Sequence, residues 1–239
     1  MSVLHSDAII LRTYPLGEAD RIVVFFSRDH GKMRGVANGA RRMKNRFGAS
    51  LEPLAHSRIV FTEKENRELV RIQSADLLDS PMRLFADYDR AVVAGHLVDL
   101  MDRFMPERQP HDAVFRLVRM TAEALENGRG IDFVSCYFDV WMLRLAGVFP
   151  DLFTCSSCGV FMRPDGERFL AAGLEKAVCG ACDRGENVTV HPEAFVALDW
   201  ILRNRLDADS APSAETGFVR GTRNLHELNQ YWIRHYLER

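Results

Sequence analysis

The sequence predicts an α+β protein, with a small closed β-barrel at the N-terminus followed by an α-helical domain. Five short runs rich in β-branched and aromatic residues, separated by turns, occur before residue 80. From Pro81 onward, apolar residues recur at the three- and four-residue spacing of helices, and two pairs of cysteines interrupt that pattern. We therefore predict domains at 1–80 and 81–239, with an insertion in the second at about 151–190.

Five predicted strands account for the barrel. Turn-forming residues at 14–20 and 28–31 separate the first three strands, and a basic loop and a polar tip separate the others. The strand count and the glycine-rich connections favour an oligonucleotide-binding (OB) barrel, although an SH3-like barrel or a two-sheet sandwich fits the pattern nearly as well. The predicted strands are residues 6–12, 21–27, about 32–38, 56–62 and 69–76.

Five amphipathic helices are predicted after residue 80, and their apolar stripes are expected to form a helix-bundle core. Prolines end the first helix, and glycines end the second and third. The stripe of the first helix is predicted to comprise Leu84, Tyr88, Val92, Gly95, Val98 and Met101. The helices are placed at about 84–101, 111–127, 131–147, 193–206 and 222–238, with a polar connector at 207–217.

The composition is that of a globular protein, with 47% hydrophobic and 27% charged residues among 239. No apolar run approaches the roughly 20 residues of a membrane span, and the N-terminus lacks the pattern of a signal peptide, so we expect a cytoplasmic protein. The net charge is only −2, yet residues 1–80 carry 13 basic and 10 acidic groups. A preference for nucleic acid would therefore belong to the N-terminal third of the chain.

The segment Gly31–Phe47 is the basic part of that region. Between Arg28 and Arg46 there are seven positive residues and one acid, Asp29. Glycines allow sharp turns and the close approach of a large partner, while arginine and lysine neutralise phosphates. This pattern predicts a nucleic-acid-binding edge, although a solvated basic loop would give the same sequence.

Two Cys-x-x-Cys pairs give the clearest chemical signal. Each such turn directs two thiolates to one point, and two turns together supply the tetrahedral four-sulfur shell that Zn²⁺ prefers. A closed shell leaves no position for water, so we predict one structural zinc ion per chain; an iron–sulfur cluster is the alternative. The predicted ligands are Cys155, Cys158, Cys179 and Cys182.

No motif indicates catalysis. Neither cysteine pair begins a helix after a strand, as a redox motif of the thioredoxin type would. The triplet His191-Pro192-Glu193 resembles part of a zinc-deaminase signature, but in that signature the histidine and glutamate precede the cysteines. His191 is instead predicted to be a turn residue before a helix that begins at Pro192. Walker, dinucleotide-binding and Gly-x-Ser-x-Gly motifs are absent from the sequence. We therefore predict that the protein is not an enzyme.

Several segments together resemble the bacterial RecO family of recombination mediators. The resemblance spans nearly the whole chain and is most specific in the series Gly-Lys, Gly-Ala-Arg-Arg and Leu-Glu-Pro-Leu. It implies an N-terminal OB domain and a C-terminal helical domain with a zinc-binding insertion that only some members possess. The matching segments are residues 8–12, 18–27, 30–42, 51–54 and 145–150, the last followed by a cysteine pair.

The resemblance also implies function. Members bind single- and double-stranded DNA, anneal complementary strands, and load RecA onto DNA coated by single-stranded DNA-binding protein (SSB), together with RecR and, in the wider pathway, RecF. Such a protein would be cytoplasmic and associated with the nucleoid. An SSB C-terminal tail would bind a groove rimmed by Arg116 and Arg119, or by Arg203 and Arg205.

Within this chain, the basic residues of the N-terminal domain are the candidate DNA ligands. Tyr14, His30 or Phe47 are candidates for stacking on bases. Two other functions stay open on the residues alone: a zinc-ribbon RNA-binding or translation factor, and a zinc-dependent nucleotide-modifying enzyme. The candidate phosphate ligands are Arg21, Arg28, Lys32, Arg34, Arg41, Arg42, Lys44 and Arg46.

Overall fold

The structure is a computed structural model that describes residues 2–64, 67–163, 166–171, 175–185, 188–207 and 216–238. The chain divides into two compact units, Met1–Glu126 and Asn127–Arg239. The first unit contains the barrel and the two helices that follow it in sequence. A domain boundary after residue 80 remains a prediction.

The first unit begins with five strands that close into a barrel in the order β1-β2-β3-β5-β4. Neighbouring strands are antiparallel except β3 and β5, which pair in parallel over three residues. This arrangement confirms the predicted OB barrel over the SH3-like and sandwich alternatives. The strands are β1 (Ser2–Leu16), β2 (Asp20–Ser27), β3 (Gly31–Ala37), β4 (His56–Glu63) and β5 (Val70–Asp79).

Both faces are buried over residues 8–11 of β1 and 23–27 of β2. Ile10 and Phe25 belong to the apolar core inside the barrel. Their neighbours Ile9 and Phe26 are equally buried although successive side chains of a strand point to opposite faces. The helix that follows the barrel packs against β1, so the outer face of this part of the barrel is covered rather than free for a ligand.

Two helices complete the first unit: α1 (Tyr88–Phe104) and α2 (Asp112–Glu126), preceded by a 3₁₀ turn at Pro81–Ala86. Asp87 caps α1 by accepting a hydrogen bond from the Arg90 amide, which sets the helix start later than predicted. The predicted stripe was wrong at Tyr88 and Val92, which are 82% and 55% exposed, and at Gly95, which is exposed as well. The buried residues of α1 are Val93, Ala94, Leu97, Val98, Leu100, Met101 and Phe104.

The second unit contains α3 (Ile131–Leu145), α4 (Pro192–Arg203) and α5 (Thr216–Leu237), with α5 packed against both others. Helix α5 begins six residues before its predicted start at 222. Gly221 lies where a Cβ atom would stand 2.2 Å from the Glu193 carbonyl oxygen, so a glycine is required where α5 passes the start of α4. Of the predicted connector at 207–217, residues 208–215 lie outside the described residues.

A small three-stranded sheet lies between α3 and α4 in sequence: β6 (Arg168–Leu170), β7 (Ala177–Cys179) and β8 (Val188–Val190), in the order β7-β6-β8. Arg168 connects this insertion to the helices. Its side chain is fully buried, its guanidinium lies 3.9 Å from the centre of the Phe195 ring on α4, and it donates to the Leu152 carbonyl. No helix within the described ranges is both long enough and apolar enough to cross a membrane.

Candidate nucleic-acid interface and metal centre

The barrel holds the predicted DNA ligands in two different environments. Four of the eight predicted residues are paired with carboxylates of the same unit. Arg28 Nε lies 2.7 Å from Asp112 Oδ1, and Arg34 Nε lies 3.0 Å from Glu107 Oε1. The four pairs are Arg21–Glu52, Arg28–Asp112, Lys32–Asp102 and Arg34–Glu107.

Lys32 shows how completely this part of β3 is covered. The residue is only 8% exposed, its Nζ atom donates to the Asp102 carbonyl, and Asp102 Oδ1 lies 3.4 Å away. The Lys32 carbonyl in turn accepts a hydrogen bond from the Arg108 amide. Gly31 permits this approach, because a Cβ atom there would stand 2.3 Å from the backbone of Gln109. The positive charge of Lys32 is therefore compensated inside the protein.

Acidic residues of α1 compensate a further arginine. Arg12 on β1 lies 2.7 Å from Asp99 and 3.0 Å from Asp102. Together with the pairs of Arg28, Lys32 and Arg34, this contact places acidic groups of α1, of its connection to α2 and of α2 over the outer face of β1–β3. The strand 2–3 face that binds ligands in many OB barrels is thus neutralised in this unit.

The loop after β3 presents the other four predicted residues. Arg41, Arg42, Lys44 and Arg46 are all exposed. None of them has a carboxylate within ion-pair distance among the residues that the structure describes. Uncompensated cations on a protruding loop can meet phosphates without first breaking an internal ion pair.

Hydrogen bonds fix both ends of this loop. At its start, the Gly39 amide donates to Asp20 Oδ1 at 2.7 Å. At its end, Asn45 Oδ1 accepts from the Phe47 and Gly48 amides at 3.0 and 2.9 Å, an Asx turn. The cations between these anchors are held on an ordered backbone, which reduces the entropy lost when they bind a strand.

Sequence reasoning missed three cations next to this loop. Lys64 and Arg67, in the connection between β4 and β5, line a cavity of about 490 Å³ together with Arg71 on β5. Arg71 also lines a second cavity with Arg46, so the basic loop and the first cavity adjoin. The period-two alternation of β5 places Arg71 on the outside of the barrel, a signal that the sequence did contain.

The three candidate stacking residues have different surroundings. Phe47 is 4% exposed and belongs to the core inside the barrel. His30 packs edge-on against Phe61, with ring centres 5.5 Å apart. Tyr14 is 48% exposed near the end of β1. Phe47 is therefore a packing residue, His30 is half-buried, and Tyr14 is the most exposed of the three.

The insertion brings the four predicted cysteine ligands together. Their Sγ atoms all lie within 4.8 Å of one another, and Cys158 Sγ is 3.8 Å from Cys179 Sγ. Zinc–sulfur bonds of about 2.3 Å in a tetrahedron require sulfurs about 3.8 Å apart, so the group fits such an ion. The four cysteines thus form a group that could hold a metal ion, with no other described residue in it.

Backbone hydrogen bonds favour the thiolate form of one of these sulfurs, which is the form that binds a cation. The Cys179 amide lies 3.4 Å from Cys155 Sγ, and this contact with others lowers the pKa of the Cys155 thiol to about 6. Hydrogen bonds with the Cys158 and Cys179 sulfurs raise the pKa of Cys182 to about 12. Close thiolates repel one another, and a bound cation removes that penalty. His191 lies outside the group and directly precedes α4, as predicted.

The arginines predicted to rim a groove for the SSB tail lie mostly in ion pairs. On α2, Arg116 Nε is 2.9 Å from Asp112 Oδ2, and on α4, Arg203 Nε is 2.8 Å from Asp199 Oδ1. Arg205 lies 3.0 Å from Asp207. These contacts favour neither pair of arginines, so the site of a tail stays a prediction.

Comparison with known proteins agrees with this architecture. Residues 1–81 match the family model "Recombination protein O N terminal", and residues 86–239 match "Recombination protein O C terminal". The chain belongs to the recombination protein O (RecO) family. The first match covers the barrel strands, and the second covers both helical segments and the cysteine group.

Curated relatives of the RecO family are similar over most of the chain. The DNA repair protein RecO of Koribacter versatilis is 40% identical across 85% of this chain and 82% of its own length. That of Geobacter metallireducens is 33% identical across 83% and 80%, respectively. That of Streptomyces coelicolor is 31% identical across 100% and 96%. The resemblance read from the sequence is therefore confirmed, and the RNA-binding alternative is not favoured.

Proposed function

We propose that this chain is a non-catalytic mediator of DNA repair and homologous recombination that binds single- and double-stranded DNA through a basic surface beside β3 and β5. The observation that carries the proposal is the contrast between compensated and uncompensated cations on one barrel. Membership of the RecO family supports the assignment to DNA. The basic surface is defined by Arg41, Arg42, Lys44, Arg46, Lys64, Arg67 and Arg71.

This proposal narrows the set of DNA ligands predicted from sequence. Lys32 is buried against Asp102 and would lose that contact on reaching a phosphate. Arg21, Arg28 and Arg34 are part-exposed but lie beside carboxylates, which repel an approaching phosphate. We assign these four a structural role and place direct phosphate contacts on the basic surface.

Binding to the backbone explains how such a protein would anneal strands. Contacts to phosphates carry no sequence information, so the match between two complementary strands is recognised by their own base pairing. We further propose that the chain acts with RecR, and indirectly with RecF, to load RecA onto SSB-coated single-stranded DNA in the nucleoid. The four cysteines would hold one structural Zn²⁺ ion, which supports the fold of the insertion.

Charge reversal on the loop tests the proposal. Arg41→Glu with Arg42→Glu should weaken binding of single-stranded DNA by orders of magnitude, because two attractions become repulsions. If about four phosphates are neutralised, the wild-type log–log salt slope should be about −3 at roughly −0.7 per phosphate, and the variant slope should be flatter.

Arg83→Glu with Arg90→Glu provides the matched control, because it changes the net charge equally from residues of the same unit outside the basic surface. This control should bind DNA with nearly the wild-type slope. Both variants should unfold at the wild-type denaturant concentration, since exposed charges contribute little to stability. A folded Arg41/Arg42 variant with wild-type affinity and slope would contradict the proposal.

A further inference from the structure

The cavity beside β5 is lined by apolar and neutral polar residues as well as by the cations assigned to phosphates. It measures about 490 Å³, a volume typical of pockets that enclose a small ligand. Its lining includes the aliphatic residues Val36 and Leu69 and two neutral polar residues, Asn38 and Thr62. Apolar walls with a few polar groups suit a flat heterocycle better than they suit a fully charged group.

Strand register explains how the floor of the cavity forms. Val36 on β3 pairs with Arg71 on β5, and Arg71 pairs with Thr62 on β4. Paired residues of adjacent strands face the same side of a sheet, so these three form one row across three strands on the outside of the barrel. The connection between β4 and β5 supplies Lys64 and Arg67 beside that row.

Thr62 points independently to a ligand. The residue is 3% exposed and lines the cavity, and its Oγ1 atom is buried with no hydrogen-bond partner among the described residues. A buried hydroxyl without a partner costs free energy, so it is an unusual feature of a folded protein. Rotation of the Thr62 side chain about its Cα–Cβ bond would bring this hydroxyl to the cavity, where a ligand that carries both donors and acceptors on a planar edge would supply the missing hydrogen bond.

The charges around the cavity distinguish a base from a phosphate. Lys64, Arg67 and Arg71 can hold phosphates on either side, but Glu68 also lines the cavity and would repel one placed inside. The exocyclic amines of adenine, cytosine and guanine can instead donate to a carboxylate. The cations thus suit the backbone of a strand, while the interior suits one of its bases.

We propose that this cavity accepts one unstacked base of a single DNA strand whose phosphates lie on the basic surface. The inference rests on the proposed function and adds a subsite that gives the protein a preference for single-stranded over duplex DNA. In a duplex every base is both stacked and paired, so only an unpaired strand can place a base in the cavity without breaking a base pair. The hydroxyl and amide groups both donate and accept, which permits binding of more than one base type.

Filling the cavity tests the inference. Val36→Met adds a longer, non-aromatic side chain at the floor, and it should weaken binding of single-stranded DNA roughly tenfold, toward the low end of what one base contact contributes. Affinity for duplex DNA and the salt slope for single strands should not change, because no phosphate contact is lost. Val92→Met is the matched control, since Val92 is an exposed valine on α1 outside the cavity lining.

A fluorescent base reports occupancy directly. A single-stranded oligonucleotide with 2-aminopurine in place of adenine should become brighter on binding, because stacking on neighbouring bases quenches this fluorophore and the cavity removes the base from its stack. The increase should be lost with Val36→Met and retained with Val92→Met. Thr62→Val should weaken single-strand binding by roughly 2- to 12-fold without lowering stability, because it removes a hydroxyl that has no internal partner.

The outcomes separate this inference from the proposed function. DNA binding that depends on Arg41 and Arg42, combined with unchanged single-strand affinity and fluorescence in a folded Val36→Met variant, would overturn the base subsite and leave the basic surface in place. DNA binding that does not depend on Arg41 and Arg42 would overturn the proposed function itself. Equal weakening of single-strand and duplex binding by Val36→Met would also contradict a base subsite.

Discussion

At the residue scale, neighbouring basic residues of one sequence stretch have different tasks. Lys32 and Lys44 both belong to the segment that sequence reasoning assigned to DNA. Lys32 lies 8% exposed against Asp102, whereas Lys44 is exposed on the loop. Removal of one partner of a buried lysine–carboxylate pair destabilises a fold, so Lys32 is a structural residue, whereas a lysine without a carboxylate partner is available to a phosphate.

Alanine substitution separates these two roles. Lys32→Ala should lower the free energy of unfolding by about 1–3 kcal/mol, since it removes the buried ammonium that donates to the Asp102 carbonyl and leaves Asp102 paired with Arg12 alone among the described residues, and it should leave the salt slope of DNA binding unchanged. Lys44→Ala should do the reverse, with stability within about 0.5 kcal/mol of wild type and a slope less steep by roughly 0.7. Urea unfolding and salt titration of both variants would measure this, and a flatter slope for Lys32→Ala would refute the structural assignment.

A second residue-scale feature is a titratable pair inside the second unit. Asp139 on α3 is fully buried, and its Oδ2 atom lies 3.1 Å from His226 Nδ1 and 3.0 Å from Gln230 Nε2 on α5. The Asp139 carboxylate raises the pKa of His226 above its ordinary value of 6.5. Protonated His226 therefore holds α5 to α3 by an ion pair as well as by packing.

The sign of the pH dependence follows from the raised pKa. Stabilisation by His226 is complete below about pH 6.5 and is lost as the pH rises through the higher folded-state pKa. We expect the difference in unfolding free energy between wild type and His226→Gln to shrink from pH 6 to pH 8.5, as followed by urea unfolding. A difference that stays constant or grows over this range would contradict the ion pair.

At the element scale, the short strands β6–β8 are too small to be stable by burial alone. Each strand has three residues, and Cys179 ends β7. Structural zinc sites in comparably small modules contribute on the order of 10 kcal/mol to folding. Arg168 then connects the insertion to Phe195 on α4. Metal binding and a buried cation–π contact together are expected to hold this sheet in place.

Removal of one sulfur tests the metal site. Cys155→Ser should lose about one zinc ion per chain and unfold the insertion, because three sulfurs do not close a tetrahedral shell. Binding of DNA by the first unit should persist. Cys136→Ala serves as the control, since Cys136 is buried in α3 outside the group and should keep the metal. Elemental analysis would decide; wild-type protein with neither zinc nor iron would refute the site, and iron would indicate a cluster instead.

At the scale of the whole molecule, charge is distributed unevenly along the sequence. Residues 1–80 carry the positive excess and the remainder carries the negative one. Within the first unit, acidic residues of α1 and α2 neutralise the covered face of the barrel, so the excess is concentrated on the basic surface. We therefore expect DNA binding and protein partners to use separate surfaces.

The acidic tail of SSB provides a test at this scale. If the tail is a ligand of this chain, as the family implies, deleting it from SSB should abolish their association in the absence of DNA. The Arg41→Glu, Arg42→Glu variant should still bind intact SSB, since those residues serve DNA. Isothermal calorimetry with intact and truncated SSB would measure both; equal affinity for the truncated form would contradict the claim.

The sequence by itself determined the five barrel strands, the helices of the bundle and the metal ligands, but it did not indicate the short strands β6–β8 of the insertion. Period-two and helical spacing are local signals, and a Cys-x-x-Cys turn brings two sulfurs together within four residues, so these predictions needed no tertiary information. The OB barrel also followed from strand count and family resemblance. Element starts were less well defined, because the cap at Asp87 and the crossing at Gly221 depend on neighbouring groups.

Only the tertiary structure decided which cations remain available to DNA. Whether Lys32 is compensated depends on Asp102, 70 residues later in the chain, and the cavity depends on pairing between Val36, Arg71 and Thr62 on three strands. Ion pairs and cavities arise from contacts between residues distant in sequence, which composition and periodicity do not encode. A basic stretch in a sequence therefore locates positive charge, and its pairing in the fold determines whether that charge can meet a phosphate.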